Sequence, residues 1–169
     1  MMYLSETRLN CKMKRQISSM LLVTLILLTT SLSFAFPPAD SIKVIAKHAE
    51  ADANSIYQIG FVASRPIPPK AIIRVTFPPE FDLSELMIAG STTINGGFEI
   101  KVEKQVLTMK RSGLGREIPA NEQVDVKFAI VKNPKRSGDD YKIVVEIADE
   151  GEKIILKKDE FHKILPQKD

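Results

Sequence analysis

Apolar residues along this chain recur at every second position in short runs, and turn residues separate the runs. That period puts successive side chains on opposite faces of an extended segment, so each run predicts a strand with one buried face. The first is Ile42-Val44-Ala46 within Ser41–His48, and the second alternates Tyr57-Ile59-Phe61 with Ile56-Gln58-Gly60-Val62. Ala71–Phe77 is a β-branched run bounded by Pro66, Pro68 and Pro69 before it and Pro78-Pro79 after it. Proline has no N–H for a ladder and biases its predecessor to extended geometry, so these prolines mark strand ends. Residues 80–90 read as irregular. Ser91–Ile94 and Phe98–Glu103 flank Asn95-Gly96-Gly97, and because Asn and Gly accept positive φ, this predicts a hairpin.

Gln105–Arg111 follows, and then Gln123–Val131, with Val124, Val126, Phe128 and Ile130 on one face and Asp125 and Lys127 on the other. One buried face of that kind specifies the register strongly. Asn133-Pro134 and Gly138 form the next turn, Tyr141–Ala148 alternates again, and Lys153–Lys157 carries Ile154-Ile155-Leu156. The segment 158–169 is mostly polar and reads as a fraying tail. Eight or nine short strands with no βαβ alternation predict an all-β fold, an immunoglobulin-like antiparallel β-sandwich over residues 36–157. A closed barrel is the alternative that periodicity leaves open. The chain has no tryptophan and one cysteine, so the core is one of Ile, Val, Leu and Phe, not of the antibody type.

The first residues depart from this pattern. Lys14-Arg15 precede the apolar run Met20–Leu28, and Ser33-Phe34-Ala35 follows. A basic segment, an apolar stretch shorter than a membrane span, and small residues at the −3 and −1 positions together predict a secretory signal peptide over residues 1–35, cut between Ala35 and Phe36. Met13-Lys14-Arg15 alone makes a compact basic segment, so Met13 is the expected start. The leader holds Arg8, Lys12, Lys14 and Arg15 against Glu6, which accounts for the whole formal net charge of +3. Its removal leaves a charge-balanced chain, and the argument for a nucleic-acid partner disappears with it. Cys11 lies upstream of the apolar run, which predicts a product with neither a disulfide nor a cysteine for lipid attachment.

Candidate chemistry is sparse. His48 and His162 stand at opposite ends of the strand region without ligand spacing, which argues against zinc. Asp139-Asp140 and Asp149-Glu150-Gly151-Glu152 offer oxygen ligands for calcium but lack the alternation of an EF-hand loop. No G-x-S-x-G elbow is present, and Ser112-Gly113-Leu114-Gly115 is too short for a phosphate loop and lacks the following Lys-Ser/Thr. Phe77, Phe81 and Tyr141 read as core or corner residues ahead of sugar-stacking ones. The sequence therefore assigns no catalytic residue, no metal ligand and no cofactor.

The order Pro69–Pro78, then Ile118-Pro119-Ala120-Asn121-Glu122-Gln123-Val124, then Asn133-Pro134, Gly138 and Tyr141–Val145 resembles the immunoglobulin-like sandwich modules of bacterial and archaeal secreted and surface-layer proteins. That resemblance implies a spacer or adhesive unit with no active site. The expectation is a non-enzymatic binding or structural module of the cell envelope or secreted fraction, located in the periplasm, at the cell surface or in the medium. Its partner is an envelope or extracellular protein or glycan, not nucleic acid and, after cleavage, not membrane, and it is bound by surface complementarity or by strand addition at a sheet edge. Two alternatives stand beside it: a small carbohydrate-active hydrolase using loop carboxylates, and a calcium-stabilised adhesion domain.

Overall fold

The computed structural model describes residues 38–167; the leader, Cys11, Met13 and the Ala35–Phe36 junction lie outside the described residues. Nine strands form two antiparallel sheets: β1 (Ser41–Ala46), β2 (Asn54–Val62), β7 (Gln123–Lys132) and β4 (Ile88–Gly90) in one, in that spatial order. The other runs β5 (Phe98–Glu103), β6 (Val106–Arg111), β3 (Ile72–Thr76), β8 (Gly138–Ala148) and β9 (Ile154–Ile164). The predicted all-β sandwich is therefore what forms. The two sheets stay separate apart from a bridge between Glu50 and Leu165, so the barrel alternative is set aside.

The inward faces are the ones that alternation predicts. Tyr57, Ile59 and Phe61 of β2 lie in register with Phe128, Val126 and Val124 of β7, and across the sandwich they meet Val75 of β3 and Ile143, Val145 and Ile147 of β8. All of these are essentially buried. Tyr57 is the hub of an aromatic cluster, perpendicular to Phe77 at 5.5 Å and stacked on Phe128 at 6.1 Å, while Phe81 meets Tyr141 edge-on at 5.6 Å. Such pairs add about 0.5–1.5 kcal/mol each beyond burial. The Tyr141 hydroxyl, at the start of β8, donates to the Arg136 carbonyl at 2.8 Å, which is the tyrosine corner of immunoglobulin-like sandwiches.

Three local expectations are corrected. Asn95-Gly96-Gly97 does not turn a hairpin, because the preceding strand is β4, at Ile88–Gly90 within the stretch read as irregular, and it pairs with β7 in the opposite sheet. The segment 91–97 is instead a crossover between sheets, where Gly96, at φ 88°, sits so close to the backbone of Gly115 that a Cβ would crowd its nitrogen at 3.1 Å. The hairpin is the next one along, β5 to β6, turning through Lys104-Gln105 with Lys104 at φ 54°. No Gly marks that turn; the Gln105 amide anchors it by donating to the carbonyls of Pro79 and Phe81.

The second correction concerns Ile130. Between Phe128 and Val131, β7 carries one residue more than β2 does between Tyr57 and Ser55. This bulge reverses the alternation, so Val131 is buried and Ile130 is 40 % exposed instead of facing the core. The third is the tail. The last strand was expected to end at Lys157, yet β9 continues to Ile164 along β8, with His162 opposite Tyr141 and Ile164 only 1 % exposed. Leu165 then bonds to the β1–β2 connection through Ala49 and Ala51.

Candidate functional site

The outer faces of the two sheets differ in chemistry. On the five-stranded sheet most of the exposed outward side chains are charged, and several are paired, around one exposed aromatic, Phe161. Arg74 bonds Glu146 at 3.2 Å and Glu152 at 2.9 Å, Lys157 reaches Glu146 at 3.2 Å, and Lys142 reaches Asp159 at 2.7 Å. Exposed ion pairs contribute little stability individually, but they keep a face solvated.

On the four-stranded sheet an apolar row runs across all strands at one end. Ile45 of β1, Ile56 of β2, Ile130 with Ala129 of β7, and Ile88 of β4 all point outward or stand exposed. The register makes them neighbours. Ile45 is diagonal to Ile56 through the Ile45–Gln58 pair, Ile56 opposes the β7 bulge, and Ala129 pairs with Ile88. Ile88 is 69 % exposed and Met87 beside it 78 %. The bulge creates the middle of the row, since without the extra residue Ile130 would face the core. Around the row stand charged residues of both signs: Lys43, Lys47 and Lys127, Asp125 at 3.8 Å from Lys127, and exposed Glu85, whose carbonyl accepts the Ile130 N–H at 3.4 Å. An apolar centre with a polar, charged rim is the anatomy of a protein docking patch.

The far end of the same face is held by a polar clamp. Asp125 Oδ1 accepts the N–H groups of Thr92 and Thr93, both at 3.1 Å, and the Thr92 hydroxyl at 2.7 Å. The Ser91 hydroxyl donates to the Asp125 carbonyl and accepts the N–H of Ile94 at 2.8 Å. Partial burial raises the Asp125 carboxyl, but the hydrogen bonds from Thr92 and Thr93, with Lys127 behind them, outweigh it and hold the group below the ordinary carboxylate range. The clamp ties the crossover from β4 to β7.

A concavity of 1080 Å³ opens at one end of the sandwich between Thr76–Glu80 and Pro134–Lys142. Asp139 and Asp140 lie there, in the irregular first turn of β8, together with Glu80, Lys135 and Arg136. The Asp149–Glu152 group is elsewhere, in the β8–β9 turn. There Asp149 accepts the Lys153 N–H at 2.9 Å, Glu150 pairs with Lys70 at 3.2 Å, and Glu152 pairs with Arg74. The two calcium candidates are thus not brought together, and among the described residues no three His, Cys, Asp or Glu side chains gather as a metal group.

His48 is exposed in the β1–β2 connection, whereas His162 is buried against the Tyr57 ring at 5.4 Å with its Nε2 unpartnered. Burial lowers the His162 pKa. Ser112–Gly115 packs on the crossover near the buried Arg111, whose guanidinium donates to the carbonyls of Ile67, Pro68 and Arg116. Burial also lowers the Arg111 pKa. Phe77, Phe81 and Tyr141 are core and corner residues, as read; among the described residues the exposed aromatic is Phe161, 68 % exposed beside Lys142, in the segment read as tail.

The isoleucine row escaped sequence reasoning, yet a signal was present: Ile56 stands on the side of the strand opposite the Tyr57-Ile59-Phe61 alternation. No family model matches the chain, and no curated protein matches it. Among solved structures it is similar to the cohesin module from a Clostridium perfringens ATCC13124 family 33 glycoside hydrolase, with TM-score 0.47 and 17 % identity over 75 % of this chain and 97 % of that one. It is also similar to BcpA, the major pilin subunit of Bacillus cereus, with TM-score 0.46 and 12 % identity, covering 75 % of this chain and 40 % of that one. A third is the collagen-binding domain of a Staphylococcus aureus adhesin, with TM-score 0.39 and 13 % identity over 75 % of this chain and 97 % of that one.

Proposed function

We propose that this chain is an exported, non-enzymatic binding module of the cell envelope or secreted fraction, released by cleavage between Ala35 and Phe36, that docks a protein partner through the outer face of β1-β2-β7-β4. The observation that carries this reading is the isoleucine row across that face. The fold could have covered those positions with charge, as it does on the opposite sheet, and exposed apolar patches on an exported domain are a solubility cost unless a partner covers them.

The test is retention of a partner from native envelope extract by immobilised wild type, by Ile56→Asp and by Phe161→Asp. A species retained by wild type and Phe161→Asp but lost with Ile56→Asp is the expected result. No retained species, or one indifferent to Ile56→Asp, overturns the reading. N-terminal sequencing of the exported protein checks the cleavage, with Phe36 as the expected first residue.

A further inference from the structure

The 1080 Å³ concavity lies where β3 ends and β8 begins, on the outer side of the five-stranded sheet. Its floor holds Thr76 and Val144, which pair across β3 and β8 on the face opposite the buried Val75 and Val145. The segments Pro78–Glu80 and Pro134–Asp140 wall it. Between Gly138 and Tyr141, β8 carries one residue more than β9 does between Ile164 and His162, and this bulge leaves Asp139 and Asp140 both exposed on the wall. The charged side chains of the lining are Lys135, Arg136 and Lys142 against Glu80, Asp139 and Asp140. On the neighbouring part of this sheet opposite charges close into pairs, as Arg74 does with Glu146 and Glu152. Around the concavity they do not. Lys142 pairs with Asp159 at 2.7 Å, outside the lining, and among the described residues the other five side chains make no hydrogen bond or ion pair. Exposed Phe161, opposite Lys142 in the β8–β9 register, stands at the margin.

We propose that this concavity binds a neutral saccharide chain, which leaves it across Lys142 and stacks on Phe161. Small-ligand sites are concave and carry a few convergent polar groups. Here those groups have both signs: carboxylates only accept hydrogen bonds, whereas ammonium and guanidinium groups only donate them. A sugar hydroxyl does both, so one run of hydroxyls satisfies both kinds of wall, through bonds that the charged partners strengthen. A polyanion or a polycation would satisfy half of the lining and meet like charge in the other half, and with three charges of each sign the lining has no net field to gather either. A pyranose also has an apolar C–H face, for which the Phe161 ring is a flat apolar plate. Ordering the long lysine, arginine and glutamate side chains offsets part of each contact, so a chain of several sugars binds better than one. The site is independent of the isoleucine row, which lies on the other sheet.

Titration of the isotope-labelled full chain with cellohexaose, maltohexaose and N-acetylchitohexaose, followed by amide chemical shifts, tests the proposal. The expected result is saturable binding of at least one of them, with the shifts concentrated in residues 76–80 and 134–142. Phe161→Ala and Arg136→Ala, both at exposed positions, each weaken that binding by about tenfold, while Ile56→Asp leaves it unchanged. Circular dichroism confirms that each variant is folded. No binding of any of the three sugars overturns the proposal, as do shifts centred elsewhere or binding that either site variant leaves unchanged. Hexalysine and hexaglutamate are the charged controls, and tighter binding of either peptide than of the sugars also overturns it. Because Ile56→Asp tests the docking row and Phe161→Ala the concavity, failure of one reading leaves the other standing.

Discussion

Asp125 shows how a single residue on a strand's polar face organises a neighbouring crossover. Its carboxylate collects donors from Thr92 and Thr93, and no hydrophobic pattern could have located them, because they come from a segment of different register. Asp125→Ala leaves those N–H groups without their acceptor and is expected to cost about 2 kcal/mol in denaturant unfolding, with the β4–β5 crossover exchanging its amides faster. The sign of the pH effect follows from the depressed folded pKa. The stabilisation is present above the unfolded carboxylate value of about 3.9 and is lost as pH falls through the lower folded value. An acid titration of stability should therefore be shallower for Asp125→Asn than for wild type.

His162 gives the same sign of pH dependence for a different reason: burial disfavours its charged form. Burial lowers its pKa, so the folded state holds it neutral while the unfolded chain protonates at about 6.5. The unfolded state then binds more protons, and stability falls as pH drops below about 6.5 until the lower folded value is passed. His162→Phe, which keeps a ring against Tyr57, should flatten that slope below about pH 6.5 in thermal melts. An unchanged slope would mean that another group titrates there.

At the scale of elements, β9 carries the clearest lesson. Its second half reads as polar because the outward residues Lys157, Asp159, Phe161 and Lys163 alternate with inward ones that are mostly not aliphatic: Lys158, Glu160 and His162 before Ile164. Pattern reasoning looks for apolar letters, and a half-buried Glu160 and a buried His162 supply none. Truncation after Lys157 is therefore expected to remove Ile164 and His162 from the core and the Leu165 bonds to Ala49 and Ala51, leaving a chain that no longer unfolds cooperatively, as calorimetry would show. Where strands alternate with aliphatic residues, as in β2, β7 and β8, the faces and most of the register were legible. Where tertiary anchors decide, they were not: the Asn95-Gly96-Gly97 signal is local, and the pairing of β4 with β7 overrides it. Tyr141 lies between these cases, legible as a corner residue but not in its bond to Arg136; Tyr141→Phe should cost about 1 kcal/mol.

For the whole molecule, the question is why a continuous isoleucine row crosses one face while the other carries ion pairs. Packing does not require the isoleucine row, since the core closes on Tyr57, Ile59 and Phe61 from the opposite side of the same strand. Ile56 and Ile59 thus offer a paired test within one strand, one on each face. Ile59→Asp places a carboxylate among fully buried aliphatic and aromatic side chains, where an unpaired charge costs several kcal/mol, and it should abolish the folded state. Ile56→Asp lies outside the core and should change stability by no more than about 0.5 kcal/mol while abolishing partner capture. If the row were there for folding, the two variants would lose stability together in chemical denaturation. If it is there for docking, only the buried one loses stability, and the exposed one loses only its partner. The separation depends on the β7 bulge, which places Ile130 beside Ile56 at the cost of one residue's alternation. Bulges that re-aim a side chain without loosening the sheet belong to binding surfaces more than to cores.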